Sequence, residues 1–366
     1  MDLRLSLPGA KTAREFIMGD TGNSINRRDF ARTAAWAVGA AVTQQFAAGE
    51  PAANLKLGLY SITYLGVWYR GDALTLEQVV GRAKQYGYQG VEIDGKRPHG
   101  NPLDMPKKRC QELRKFADDQ DIEIYAVAAN NDFSSPMPEF RESQLLYVRE
   151  LIRMTADVGA KLLRVFLAWP GVTLVPEGGG RYDIAKNVWV FTHKEFPEER
   201  TWEWCRDALR EAARFAGEHG VTLALQNHAP VIQDYRDVLR MIREIASPHL
   251  KACFDTRLEY GKKGDYLLEA TRAFGPLQVL SHFGDEYDRV DGKIVPKEDE
   301  FAADQVTGLL EIGYDGYLGY ELCHPLPVVD GNLPGVDYVD NNVGLAAEFL
   351  RETIVNVKRQ RASGGI

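Results

Sequence analysis

Gly220-Val221-Thr222-Leu223-Ala224-Leu225-Gln226-Asn227-His228 is an apolar run that turns polar only at its last three positions. Helix-like segments flank it, over residues 201–219 and 234–246. A short apolar run set between two helical patterns reads as a buried strand of a parallel sheet. Gln226, Asn227 and His228 then emerge together at its C-terminal end, where open α/β sheets and α/β barrels keep their chemistry.

The same design repeats along the chain. Strand-like runs occupy residues 55–61, 90–94, 122–129, 160–168, 220–228, 250–256, 277–283 and 316–322. Helical patterns alternate with them over 74–86, 106–118, 139–158, 201–219, 234–246, 266–274, 304–312 and 341–359. Four junctions read helix, glycine, strand: Tyr86-Gly87-Tyr88, Val158-Gly159-Ala160, His219-Gly220-Val221 and Ile312-Gly313-Tyr314. A glycine at the helix C-terminus followed at once by a β run is how short αβ loops are built. Eight such units predict an α/β fold, a (β/α)8 TIM barrel in a single domain over residues 54–360. A doubly wound open sheet would bring a Gly-rich phosphate loop after its first strand, whereas this chain has Tyr60-Ser61-Ile62-Thr63-Tyr64. Two long segments, 169–201 and 324–338, read as irregular loops that shape a pocket at the barrel mouth.

The bulk composition bounds the rest. With 366 residues and 45% apolar content, a core of this size is well supplied. The net charge of −8 is interspersed, with no basic patch, which argues against nucleic acid as a partner. The four cysteines form no CxxC or Cys/His cluster, and Cys253 and Cys323 both read as strand residues two positions from a candidate ligand. Nothing in the composition speaks against homo-oligomerisation. Near the N-terminus, Asn26-Arg27-Arg28-Asp29-Phe30 precedes the mildly apolar run Ala34 to Val42. This is the layout of a twin-arginine export signal over residues 1–53, with a periplasmic or extracytoplasmic destination. That run is too short for a stable membrane span, which needs about 20 residues.

Four strand ends carry residues suited to a metal: Gln226, Asp255, His282 and Glu321. Adjacent barrel strands bring such side chains to one mouth. Two carboxylates, an imidazole and an amide oxygen suit one hard or borderline divalent cation, such as Mn²⁺, Mg²⁺ or Co²⁺. Singly, each has a plainer role. Asp255 is placed to cap a helix, and a lone His282 is commonly a hydrogen-bonded core residue. Glu321 between apolar neighbours is harder to dismiss, because Glu is rarely buried unpaired.

The strand ends Leu223–His228, Ala252–Thr256, Leu280–Asp285 and Tyr317–Leu322 resemble the xylose isomerase-like TIM-barrel superfamily over roughly residues 56–357. The resemblance implies sugar isomerase or epimerase chemistry and a carbohydrate substrate. It also implies one divalent metal held by Glu, Asp, His and Glu, which fall here on Gln226, Asp255, His282 and Glu321. The departure is Gln226. In the epimerases the two glutamates also move protons, and an amide cannot do so at neutral pH. Glu321 then remains as base, with His228 or Glu92 as the second acid. Glu92 is equally placed to pair Arg164 or Lys96, and Asn130, Arg164, His193 and His324 are weaker pocket candidates.

These residues imply enolisation of an unphosphorylated sugar or keto-sugar through an enediolate, with the metal polarising the carbonyl. With a single base, elimination from a keto-glycoside or keto-polyol by a lyase or dehydratase is the alternative. A non-catalytic carbohydrate-binding barrel that lost its activity with the glutamate is the third reading.

Overall fold

The computed structural model describes residues 54–175, 179–298, 301–328 and 331–363. The segment over 1–53, with its twin-arginine pattern, lies outside the described residues.

Eight parallel strands close into a barrel: β1 (Lys56–Tyr60), β2 (Gly90–Asp94), β3 (Glu123–Ala128), β4 (Leu162–Val165), β5 (Thr222–Gln226), β6 (Leu250–Cys253), β7 (Gln278–Phe283) and β8 (Tyr317–Tyr320). Each neighbours the next in sequence, and β1 pairs with β8 to close the ring. The expected (β/α)8 barrel is the one observed.

Its helices form because their apolar positions recur at helical spacing. In Tyr235–Ile245, the residues Val238, Met241, Ile242 and Ile245 are buried on one face. Each contributes roughly 1.5–3 kcal/mol when fully buried. The helix Leu76–Tyr86 starts at a capping box between Thr75 and Gln78 and stops at Gly87, whose φ of 76° is left-handed. Gly220 has a φ of 66° at the entrance to β5, so the turn into the opening stretch also needs a residue without a Cβ.

Strand alternation decides what lies inside the barrel. The inner bottom is sealed by Ala126, Ala224, Cys253 and Leu280 together with Tyr125 and Tyr317, whose rings stack at 4.1 Å. Two residues further along their strands, Ala224, Cys253, Leu280 and Gly319 are followed by Gln226, Asp255, His282 and Glu321. All four line the cavity at the barrel's C-terminal mouth.

Three expectations need correction. Residues 169–201 are not irregular: they hold a short hairpin, Thr173–Leu174 with Gly180–Arg181, and a helix, Tyr182–His193. Their Gly, Pro and aromatic content hid a helix that is anchored by tertiary contacts rather than by periodicity. The segment 324–338 is already helical from Val336, where the closing helix Val336–Ala362 begins. Cys323 lies beyond β8, which stops at Tyr320.

Candidate active site

The floor of the mouth is a buried polar network. Asp255 is 2% exposed and His282 1%. Asp255 Oδ1 accepts the backbone N–H of His282 at 2.6 Å, and Oδ2 lies 3.0 Å from His282 Nδ1. The expected helix cap is absent: Asp255 precedes the turn Thr256–Leu258, but its side chain makes no capping bond there. Asn227 grips the Asp255 backbone from both sides. Its Oδ1 accepts the Asp255 N–H at 2.9 Å, and its Nδ2 donates to the Asp255 carbonyl at 3.1 Å. Glu259 holds Asn227 in turn and accepts from Tyr266. Burial keeps the Glu259 carboxyl above its usual range. Sequence alone gave Asn227 and Glu259 no task, because the partner backbone is set only by the β5–β6 register.

His282 stands between two carboxylates. Its Nε2 lies 2.6 Å from Glu92 Oε2, opposite the Asp255 contact. Burial works against a charged imidazole, but the Asp255 and Glu92 charges outweigh it and hold the ring well above its ordinary value. Glu92 is fully buried and also accepts from Arg164 Nε at 2.9 Å. Burial pushes Glu92 up, while the His282 and Arg164 charges together hold it below the usual carboxylate range. Of its two expected roles, acid or partner of Arg164 or Lys96, Glu92 has the pairing with Arg164; it also meets His282 and does not line the cavity.

Arg164 Nη1 donates to Gln226 Oε1 at 2.7 Å, and Gln226 Nε2 donates to Asp255 Oδ2. The amide oxygen expected at a metal is therefore committed to Arg164, and the amide N–H side is the one aimed at Asp255. Arg164 also lies 4.6 Å over the Tyr60 ring.

Glu321 differs from these. Among the described residues its carboxylate makes no hydrogen bond, and it lines the cavity. Burial raises its carboxyl above the ordinary range, against the lowering charges of His282 and Arg164. His228 lines the same cavity, edge-on to Trp169 at 4.8 Å. Burial pushes its imidazole down to about 4, so it is neutral at pH 7. Its Nδ1 lies 2.5 Å from the Ala229 carbonyl, which can only accept. Nδ1 thus carries the proton and Nε2 is the acceptor, the reverse of the donor expected for this residue.

The cavity encloses about 450 Å³. Of the weaker candidates, Asn130, Arg164 and His324 line it and His193 does not. His193 Nε2 instead sits 3.1 Å from Ser134 Oγ, and its ring stacks on Trp189 at 4.0 Å. It ties the Tyr182–His193 helix to the segment after β3.

The donor set suits a divalent cation. Cys253, Asp255 and His282 present ligand atoms within 4.8 Å of one another. Burial pushes the Cys253 thiol up to about 12, and a hard divalent cation prefers the Asp255 oxygen and the His282 nitrogen to sulfur. Asp255 and His282 remain of that trio; Glu321 lies outside it and lines the same cavity with an unpartnered carboxylate.

The family model for the xylose isomerase-like TIM barrel matches residues 80–351. Fructoselysine 3-epimerase of Escherichia coli O157:H7 is 22% identical over 255 residues, covering 68% of this chain and 86% of the relative. D-Psicose 3-epimerase from Clostridium cellulolyticum H10, solved with D-tagatose, superposes with a TM-score of 0.60 at 17% identity, over 82% of this chain and 99% of that one. The IOLI protein, solved with a binding zinc atom, gives 0.57 at 16% identity, over 82% and 97%.

Proposed function

Since the chain belongs to the xylose isomerase-like TIM barrel family, we propose that it is a sugar isomerase/epimerase-like enzyme for an unphosphorylated ketose or keto-sugar. One divalent cation, Mn²⁺, Mg²⁺ or Co²⁺, is held by Asp255, His282 and Glu321. When bound, it supplies Lewis-acid polarisation of a substrate carbonyl.

The observation that carries this reading is the Glu321 carboxylate, raised by burial, unpartnered and facing the cavity. A carboxylate with a raised pKa is a stronger base for a proton next to a carbonyl. His228 Nε2 is a second acceptor in the cavity wall; with its imidazole held down to about 4 it stays neutral at pH 7 and is placed to take a hydrogen bond from a substrate hydroxyl. Arg164 offers a fixed positive charge to an enediolate oxygen. Glu92 acts through His282 and Arg164 as a positioning residue. The named substrates of the relatives, fructoselysine and D-psicose, support an unphosphorylated ketose. Export by a twin-arginine signal over 1–53 would bring the barrel, residues 54–360, into contact with such free sugars, and among the described residues no helix is long and apolar enough to cross a membrane.

The test is solvent deuterium incorporation into a panel of ketoses with Mn²⁺ present. Incorporation by the wild type that disappears in Glu321→Gln and on chelation is expected. No incorporation and no product with any sugar would leave a carbohydrate-binding barrel.

Gln226 favours a second reading, elimination from a keto-glycoside. Its amide is locked between Arg164 and Asp255 and moves no proton. A site with one carboxylate base suits loss of a β-substituent, read as release of an aglycone or water.

A further inference from the structure

Gln226, Asp255, His282 and Glu321 line the cavity at the strand ends, and Lys96, Lys186, Arg257 and His324 carry further polar groups onto its lining. Aromatic rings line it as well. Trp169, from the segment after β4, stacks on Phe166 with ring centroids 5.4 Å apart and a 20° tilt. It meets the Tyr182 ring edge-on at 5.7 Å, and Trp68 lies 5.1 Å from Tyr182 on the other side. Val172 and Leu258 fill in between, and Tyr260 stands at the rim with 76% of its surface exposed. Trp169, Val172 and Tyr182 all come from the 169–201 segment, which His193 pins to Ser134.

The cavity volume of about 450 Å³ is of the size that takes drug-sized ligands, more than a single sugar ring fills. A large exposed aromatic at a pocket rim is surface that a ligand would desolvate. We infer that the preferred substrate is a keto-sugar bearing a flat apolar substituent, the keto form of an aryl glycoside, with the sugar on the strand-end floor and the aryl group between Trp169, Tyr182 and Tyr260; plain aryl glycosides serve as its unreactive analogues. The inference rests on the carbohydrate-enzyme reading of the same site and specifies what that site selects.

The experiment is calorimetric titration of the full-length protein with matched ligands: methyl and phenyl β-D-glucopyranoside, methyl and phenyl β-D-galactopyranoside, cellobiose and lactose. The phenyl member of at least one pair should bind about tenfold tighter than the methyl member, and tighter than the disaccharide with the same non-reducing sugar. Trp169→Ala and Tyr260→Ala should bring that ratio toward one while leaving methyl-glycoside affinity within twofold. Tyr260 is exposed, so its replacement keeps the inference testable even if Trp169→Ala disturbs folding. Equal affinity within every pair, absence of binding by all ligands, a disaccharide that binds tightest, or a ratio unchanged in Tyr260→Ala would overturn it. The ratio is read without turnover. A protein that shows it but incorporates no deuterium from any ketose fails as an isomerase and keeps its aryl preference; the converse result removes the preference alone.

Discussion

Glu92 Oε2 lies 2.6 Å from His282 Nε2, although 190 residues separate them in the chain. The contact takes one face of the imidazole and leaves Nδ1 toward Asp255. Carboxylate partners of this kind fix the ring and tautomer of a metal-binding histidine. Glu92→Gln should weaken Mn²⁺ binding by about 10- to 100-fold in a calorimetric titration. A Glu92 that served substrate as an acid would instead lower turnover and leave metal affinity intact.

The same substitution leaves the Arg164 guanidinium, 4% exposed, without its counter-charge. Breaking a buried pair from one side typically costs about 3–5 kcal/mol. Glu92→Gln should therefore lower the denaturant midpoint clearly, whereas Lys84→Gln, which breaks an exposed pair with Asp121, should change stability by less than about 1 kcal/mol.

Gln226 accepts from Arg164 at 2.7 Å and donates to Asp255. Gln226→Glu puts a carboxylate where the amide now sits. If the amide is the reason for one-base chemistry, the variant should produce an epimer pair from a ketose that the wild type converts in one direction or cleaves. An unchanged product spectrum by chromatography would show that the amide is not the deciding group.

His228 should titrate with a midpoint near 4 in an NMR experiment, against an ordinary 6.5. Its folded-state value lies below the unfolded one. The neutral ring's contribution to stability is thus present above about pH 6.5 and is lost as the pH falls toward 4. His228→Asn should remove that part of the acid sensitivity. A midpoint near 6.5 would return His228 to the role of a cationic donor.

His193 holds the Tyr182–His193 helix to Ser134. His193→Ala should make residues 169–201 more sensitive to limited proteolysis and raise KM more than it lowers kcat. Equal cleavage rates in the two proteins would contradict the anchoring role.

Much of this was legible in the sequence. The eight strand runs and their glycine junctions carry the barrel, and the polar tips of β5 to β8 mark its mouth. Asp255, His282 and Glu321 stand out because polar residues at the end of apolar runs are rare. Which atoms face which was not legible. That Glu92 turns to His282, and Gln226 to Arg164, depends on inward alternation and on register around a closed ring, which pairs residues far apart in the chain. The Tyr182–His193 helix was hidden for a different reason. Val188, Val190 and Phe191 face outward, so its apolar residues do not form the one-sided stripe from which a helix is read.

The most direct test of the central claim is the position of Mn²⁺ in an anomalous difference map from crystals soaked with the ion. The account predicts one peak bonded to Asp255, to His282 through Nδ1 and to Glu321, with the Gln226 amide still turned to Arg164. A peak elsewhere, or any of those three residues beyond bonding distance of it, would contradict the account.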